Sequence, residues 1–526
     1  MSSIQKIFSA SLASWIRIGV TVAAQIISVP VFLHHWGSET YGIWLFVQGS
    51  VSLVTIIDVS YQNYLGYEFL KTGHQRIRRL SELFSSALPI AFISSFTCLI
   101  ITLLVLNLNA LPGAINMDTA LFFEFKVCFL ISLVTWVATS AVGGIIGRSL
   151  YPFGHYPLLA WAGTLYNIMS SIAPLIAVSA GANLITATIV ASATTVLYNA
   201  GLMSILVPLA RKCQLFSGKI DVRDGFSIYL KSMTLALQAG IDLFRQQGTR
   251  LVLAPLAGIS SMTEFSTMRT GANFALQGLG TITGPIMPEL MRFLVARDQA
   301  RMEGAFALVW LVLCAVLLPA IVIVQWLMPW LFPIWTHGKI GFDPWLFGML
   351  SMGVAVYALA QPAAAILMGN NIVRTQLAIS LLAGLVAVGG MALTVPWVGI
   401  RGAALALLAA EGVSLGITVA AARRWLAGQG LRWPSHAFGV AAASVLCTAL
   451  GLAALASLAP ARQIPVLLAT LAAQSLLTLV YWRQLPALAR QRARGLIARF
   501  VPAARRPALA GATSDSKPAP KRMNLE

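Results

Sequence analysis

One apolar segment carries several ionisable side chains that could do chemistry inside a membrane. Residues 226–258 are long and apolar enough to cross a bilayer, yet they include Lys231, Asp242, Arg245 and Arg250. An ionisable group near the bilayer centre costs about 2.5–3.5 kcal/mol on insertion scales. A helix that keeps several such groups must hold them against a partner charge, a water-filled cavity or a substrate. The segment is therefore the first candidate for a functional helix.

The composition of the whole chain predicts an all-α polytopic membrane protein. The 526 residues are 58% hydrophobic and 10% charged, with a mean hydropathy of +0.80. Soluble domains carry about 25% charged residues. The apolar runs are about 20 residues or longer and do not alternate, which indicates helices rather than a β-barrel. They predict about fourteen transmembrane helices, at residues 12–33, 41–65, 83–106, 121–145, 158–178, 184–206, 228–256, 262–290, 305–327, 344–368, 376–395, 403–422, 437–458 and 464–482.

The net charge of +19 lies mainly in alternate loops between these helices. Lys and Arg follow every second span and are scarce in the loops on the other side, which is the positive-inside pattern. The pattern places both termini in the cytoplasm and gives no support to nucleic-acid binding. No phosphate-binding loop, metal-binding spacing or cysteine pair pattern is present in the sequence, so neither an enzyme nor a cofactor is predicted.

A faint internal repeat divides the chain. Gly37 closes the first span and Glu68 ends the second, and Gly258 and Glu289 stand at the same spacing 221 residues later. Each half holds an even number of spans, so the halves are parallel and face each other across a cleft. We expect six-helix lobes at 1–212 and 226–425, two extra helices at 436–482, and a basic, partly disordered cytoplasmic tail at 483–526.

Under this repeat, the first, second, seventh and eighth spans line the cleft. Asp242 and Arg245 are spaced i, i+3, so they either neutralise each other or serve a ligand. Arg17 could equally extend its charge to the membrane surface. Arg250 has no partner within its own helix and is the first residue to test. The predicted substrate-binding residues are Arg17, Arg245, Arg250, Arg269, Gln246, Asn273 and Gln277.

Three carboxylates inside predicted spans are candidates for ion coupling. Asp58 lies in the second span, Asp242 in the seventh and Glu411 in the middle of the twelfth. Ionisable residues inside membrane helices commonly mark ion pathways. For Glu411 two readings are open: it pairs with an Arg, or it binds a coupling H⁺ or Na⁺.

The start of the chain contains Pro30 near the end of the first span, then Gly37, Tyr41, Gly42 and Trp44, and the region of Asp58 in the second span. With these residues it resembles the start of bacterial polysaccharide-biosynthesis flippases, in the oligosaccharide-lipid and polysaccharide branch of the multidrug/oligosaccharidyl-lipid/polysaccharide (MOP) exporter superfamily. Together with the pattern of spans, the resemblance covers about residues 5 to 482.

The resemblance implies a fold like that of the MATE transporters and a flippase in the bacterial inner membrane. Its substrate would be an undecaprenyl-pyrophosphate-linked oligosaccharide, moved by alternating access for O-antigen or exopolysaccharide assembly. The implied partners are this lipid, membrane lipids, a polysaccharide polymerase and a chain-length regulator. A lipid II flippase is an alternative with the same general features. A cation antiporter for drugs or metabolites predicts an acidic cavity, and a polymerase or ligase predicts a long outer loop; neither feature is present in the sequence.

Overall fold

The computed structural model describes residues 3–283, 290, 293–294, 296–370, 372–485 and 490, and a few side chains inside these helices are outside that description. The described residues form helices and short connections without any strand, which confirms the predicted all-α class. The helices are α1 (Ser3–Thr72), α2 (Ile77–Leu106), α3 (Leu111–Ala114), α4 (Thr119–Ser149), α5 (Tyr156–Ser179), α6 (Leu184–Lys212), α7 (Val222–Ala257), α8 (Ile259–Thr283), α9 (Gln299–Val312), α10 (Leu318–Trp335), α11 (Pro344–Gly369), α12 (Val373–Val398), α13 (Ile400–Gly428), α14 (Ser435–Ser457) and α15 (Pro460–Gln484). A π-helical segment, Leu313–Leu317, joins α9 to α10.

Within the described residues, eleven helices are long and apolar enough to cross a membrane. The first of them runs from Leu12 to Thr72 and contains two predicted spans. The charged helices α7 and α8 are not among the eleven, yet they occupy the positions of the predicted seventh and eighth spans. The predicted total of about fourteen is consistent with this arrangement.

Glycines with positive φ break two helical hairpins at matching places. Gly37 interrupts α1 with φ 78° and ψ −174°, and Gly258 separates α7 from α8 with φ 83° and ψ 165°. Side chains other than glycine rarely adopt this backbone conformation. The two glycines are the pair that the sequence repeat predicts. Gly181, between α5 and α6, and Gly399, between α12 and α13, also have positive φ.

Most of the helix contacts lie within one half of the chain. In the first half α1 packs on α4 and α5, and α4 packs on α2 and α6. In the second half α11 and α12 both pack on α13, and α8 packs on α11. The helix α7 packs against α1 of the first half and α12 of the second. The predicted lobe boundaries stay predictions, and the tail beyond residue 485 lies outside the described residues apart from position 490.

The last two helices lie on the second half. The Tyr481 hydroxyl of α15 donates to the Ala307 carbonyl at 2.9 Å, and the Thr478 hydroxyl donates to the Cys314 carbonyl at 3.2 Å. The same apolar cluster includes buried residues of α9 to α11, α14 and α15. These contacts fix α14 and α15 to the span that opens at α9.

The two halves meet at the end of the molecule that holds Gly37, Gly181, Gly258 and Gly399, here named the glycine end. The Thr263 hydroxyl of α8 donates to the Ser38 carbonyl at 3.0 Å, and Trp335 Nε1 of α10 donates to the Ile26 carbonyl at 2.8 Å. A single buried apolar cluster there contains residues of both halves. Of the other two buried clusters, one belongs to the second half, and one combines the first half with Ile228 of α7. Among the described residues, apolar contacts between the halves are therefore more extensive at the glycine end than at the opposite, basic end.

Candidate functional site

Arg250 lies on α7 where this helix packs against α1. A Cβ placed on Gly49 of α1 would stand 4.0 Å from the Arg250 Cδ, so the side chain passes over a helix surface that lacks a side chain. Arg250 is half-buried and interacts electrostatically with the buried phenol of Tyr41. Among the described residues, no carboxylate forms an ion pair with it. The predicted first candidate is thus a guanidinium held between the two halves.

Arg269 joins α8 to α7 next to Arg250. Its Nη1 donates to the buried Thr249 hydroxyl at 2.6 Å, and Thr249 is the residue that precedes Arg250 in the chain. Arg269 also has a further interaction, so it is not a free cation. Asn273, one helical turn later, is half-buried. The structure therefore brings Arg250, Arg269 and Asn273 onto adjacent stretches of the α7–α8 hairpin.

The other predicted site residues of α1, α7 and α8 are less closely defined, as is Lys231 of the charged segment. Arg17 is exposed on α1, with its Nη1 3.9 Å from a Cβ placed on Gly163 of α5. Lys231 is exposed near the start of α7. At the other positions the structure describes the backbone of α7 and α8 but not the side chains. These residues are Asp242, Arg245, Gln246 and Gln277, and their roles stay predictions.

Asp58 is a buried carboxylate surrounded by uncharged donors. It is 5% exposed and accepts hydrogen bonds from Ser95 Oγ at 2.5 Å, Ser94 Oγ at 3.2 Å and Trp136 Nε1 at 3.3 Å. The Ser94 hydroxyl also lies 2.9 Å from the Tyr229 hydroxyl of α7. No basic side chain forms an ion pair with Asp58 in the described part of the chain. A buried charge without a counter-ion is costly, so uptake of a proton or cation would remove that cost.

Glu411, the other described coupling candidate, has a different environment. It is half-buried on α13 and has an interaction partner, so it is not an isolated carboxylate. Both readings of Glu411, pairing with an Arg and binding of a coupling ion, stay predictions.

Arg148 was not among the site residues that the sequence predicts. Its charge fits the positive-inside pattern because it follows the fourth predicted span, but it belongs to the last turn of α4 and is half-buried. Its Nη1 donates to Gln62 Oε1 at 2.8 Å and its Nη2 to Asn63 Oδ1 at 2.8 Å. Gln62 follows Asp58 by one turn of α1. The two adjacent amides after a membrane carboxylate were the available signal for this polar contact between α1 and α4.

A second feature that the sequence did not predict is a cavity inside the first half. It has a volume of about 450 Å³ and is lined by α1, α4, α5 and α6. None of the described residues that line it is charged. Its hydroxyl-bearing residues are Thr21, Ser28, Ser132, Thr135, Thr139, Ser140, Tyr166, Ser170, Ser171, Ser192 and Thr195. Such residues are dispersed along apolar spans in the sequence, so only the fold shows that they meet.

The two hairpins that turn at matching glycines, closed together at one end, define a two-lobed multi-span membrane protein. No protein-family model and no curated protein matches the sequence. Solved structures do match it, and they include multidrug transporters and a lipid flippase.

An inward-facing multidrug resistance MATE family transporter of the MOP superfamily has a TM-score of 0.64 at 11% identity, over 79% of this chain and 98% of its own. The lipid II flippase MurJ in an inward closed conformation has a TM-score of 0.60 at 13% identity, over 93% of this chain and 99% of its own. An outward-facing MATE family transporter has a TM-score of 0.54 at 13% identity, over 81% and 96%. The chain therefore has the fold of MATE transporters and MurJ.

Proposed function

We propose that the protein is a flippase that moves an undecaprenyl-pyrophosphate-linked oligosaccharide across the bacterial inner membrane by alternating access. The product would feed O-antigen or exopolysaccharide assembly. The observation that carries this proposal is Arg250, which lies between the two halves without a carboxylate partner in the described residues. A cation in this position favours a substrate that brings negative charge.

The chemistry of arginine suits a pyrophosphate head group. A guanidinium stays charged and presents several N–H donors in a fixed plane, which match phosphate oxygens. The neighbouring Arg269 is held by the Thr249 hydroxyl at 2.6 Å, and this contact limits where its guanidinium can move. Predicted contributions from Arg17, Arg245, Gln246, Asn273 and Gln277 belong to the same proposal.

The packing supports a direction of access. The glycine end is closed by apolar contacts between the halves. The positive-inside pattern assigns that end to the periplasm and both chain termini to the cytoplasm. The higher TM-score with the inward-facing than with the outward-facing MATE transporter is in keeping with this assignment. We therefore propose that this conformation receives its lipid-linked substrate from the cytoplasmic side.

We propose Asp58 as the main ion-coupling residue, and Asp242 and Glu411 are further candidates. The donors around Asp58 are uncharged, and Ser94 links its carboxylate to Tyr229 of α7. Gain or loss of a proton or Na⁺ at Asp58 would therefore act on the helix that carries Arg250.

A lipid II flippase is the second candidate function. The MurJ structure matches 93% of this chain, whereas the inward-facing MATE transporter matches 79%. The substrate of such a flippase would carry the same polyprenyl pyrophosphate, so Arg250 would serve it equally well. A polysaccharide polymerase and a chain-length regulator are proposed partners only under the first function.

The test is transport in proteoliposomes that contain either undecaprenyl-pyrophosphate-linked oligosaccharide or lipid II. We expect the wild-type protein to move the oligosaccharide lipid and Arg250→Ala to lower the rate by about tenfold, because a charge-assisted contact contributes roughly 1.5–3 kcal/mol. Arg374→Ala, an exposed residue at the start of α12, is the control and should keep the wild-type rate. Transport of lipid II alone would favour the second candidate. Movement of organic cations without either lipid would contradict both.

A further inference from the structure

We propose that the cavity in the first half is a sugar-binding subsite, which holds the uncharged, hydroxyl-rich part of the substrate while Arg250 and Arg269 hold its anionic part. This inference rests on the proposed flippase function and adds to it a separate location for the glycan. The cavity, with its volume of about 450 Å³, falls in the range of about 300–1,000 Å³ that is usual for ligand sites.

Many of the cavity hydroxyls already donate a hydrogen bond to a backbone carbonyl of their own helix. Thr135 Oγ1 donates to the Ile131 carbonyl at 2.7 Å, Ser132 Oγ to the Cys128 carbonyl at 2.8 Å, and Thr195 Oγ1 to the Ala191 carbonyl at 2.9 Å. A hydroxyl that donates to its own helix keeps its lone pairs as acceptors. The wall is therefore rich in acceptors without being charged. A ligand with many O–H donors and no charge complements it, and a glycan is such a ligand.

Other lining groups have unused hydrogen-bonding capacity. The side chains of Gln48, Ser171, Ser192 and Tyr166 line the cavity, and none of them has a hydrogen bond to another residue in the described part of the chain. An amide and three hydroxyls can both donate and accept. They can therefore bind ring oxygens and hydroxyls of a sugar, which a wall of acceptors alone could not do.

The aromatic residues of the wall add flat apolar surfaces. Trp44 and Trp136 both line the cavity, and the faces of sugar rings that carry C–H groups pack on such surfaces. Trp136 Nε1 donates to Asp58 Oδ2 at 3.3 Å, so one indole touches the cavity and the buried carboxylate at once. The binding of a sugar against Trp136 would therefore depend on the protonation state of Asp58.

The cavity and Arg250 use neighbouring faces of one helix. Trp44, Gln48 and Val51 of α1 line the cavity, whereas Tyr41 and Gly49 of the same helix lie by Arg250. Helical geometry places these two sets of residues about a quarter turn apart around the axis of α1. A substrate whose pyrophosphate is directly linked to its sugars has its charged and uncharged parts side by side, which matches this arrangement of the two sites.

The experiment compares binding of two lipids to the purified full-length protein in nanodiscs. The probes are undecaprenyl pyrophosphate alone and undecaprenyl pyrophosphate that carries one of three synthetic neutral trisaccharides. We expect the wild-type protein to bind at least one glycosylated probe about tenfold more tightly than the bare lipid, the gain expected from a few added hydrogen bonds. Ser192→Leu, which places an apolar side chain in the cavity, should abolish this preference and leave binding of the bare lipid unchanged.

Ser204→Leu is the matched control, because Ser204 lies on the same helix but is exposed and does not line the cavity. It should keep the preference for the glycosylated probe. Gln48→Ala removes one wall group without adding volume, and we expect it to lower the preference severalfold even if Ser192→Leu fails to fold.

The inference is overturned if Ser192→Leu and Gln48→Ala both retain the wild-type preference, or if the wild-type protein prefers none of the three glycosylated probes. Failure of the proposed function itself gives a different result. In that case the wild-type protein does not bind even bare undecaprenyl pyrophosphate, and Arg250→Ala changes nothing.

Discussion

Gly42 of α1 lies so close to Thr263 of α8 that no Cβ fits at position 42. The Thr263 hydroxyl donates at the same place to the Ser38 carbonyl. The contact joins the first half to the second at the glycine end, and it depends on a residue without a side chain.

A side chain at position 42 should open the glycine end. We expect Gly42→Val to weaken the contact by about 1–3 kcal/mol, the usual cost of overpacking. The measurement is the labelling rate of a cysteine introduced by Ser38→Cys, with a maleimide that does not cross membranes. Gly19→Ala is the control, because nothing lies within 4 Å of the Cβ position there. Equal labelling of the two variants would show that this contact does not close the glycine end.

The Thr249 hydroxyl should matter because it positions Arg269. Thr249→Val keeps the shape of the side chain but removes the acceptor of the 2.6 Å hydrogen bond. We expect transport of the lipid-linked oligosaccharide to fall by about three- to tenfold, since a hydrogen bond to a charged group contributes roughly 1.5–3 kcal/mol, less in a membrane. Thr270→Val, which loses only a bond to its own helix, should transport normally. Equal losses in both variants would contradict a specific role for Thr249.

Asp58 should be needed for driven transport more than for substrate binding. Asp58→Asn keeps a similar shape and one of the two acceptor oxygens that Ser94 and Ser95 use, but it cannot exchange a proton. We expect acceleration of transport by an imposed proton or Na⁺ gradient to disappear, while binding of the lipid-linked substrate changes by less than about twofold. Asp118→Asn, an exposed residue before α4, is the control. Unchanged acceleration by both gradients in Asp58→Asn would remove Asp58 as the coupling residue, and the same assay on Glu411→Gln tests the alternative.

Arg148 should stabilise the contact between α1 and α4. Arg148→Met would remove the donors that Gln62 and Asn63 accept at 2.8 Å each. We expect the free energy of unfolding to fall by about 1–3 kcal/mol, which thermal unfolding in detergent can detect. Arg211→Met, at an exposed position near the end of α6, should cost little. A similar melting temperature for Arg148→Met and the wild-type protein would mean that these amides are satisfied without the guanidinium.

The sequence allowed the overall fold to be predicted because hydropathy reports burial in lipid directly. The equal spacing from Gly37 and from Gly258 also predicted the two helical breaks, since a positive φ requires glycine at both places. Arg250 was predicted as an unpaired charge on a membrane helix, and the described structure gives it no acidic partner. These features depend on local sequence alone.

The features that were missed depend on contacts between distant segments. Arg148 looked like a loop residue because charge near a span end has a topological explanation, and only the packing of α4 on α1 brings it to Gln62. The cavity could not be predicted from the sequence for a related reason. Ser192 and Gln48 come from different spans, and single hydroxyls in apolar helices carry no pattern that predicts where they face.

The attachment of α15 to the second half has a mechanical consequence. Thr478 and Tyr481 bind backbone oxygens of the π-helical segment and of α9, so α14 and α15 are fastened to that span by hydrogen bonds as well as by apolar packing. If the halves rock against each other, these two helices move with the second half and add to its drag in the lipid. The smaller first half, which contains the cavity, would then make the larger movement.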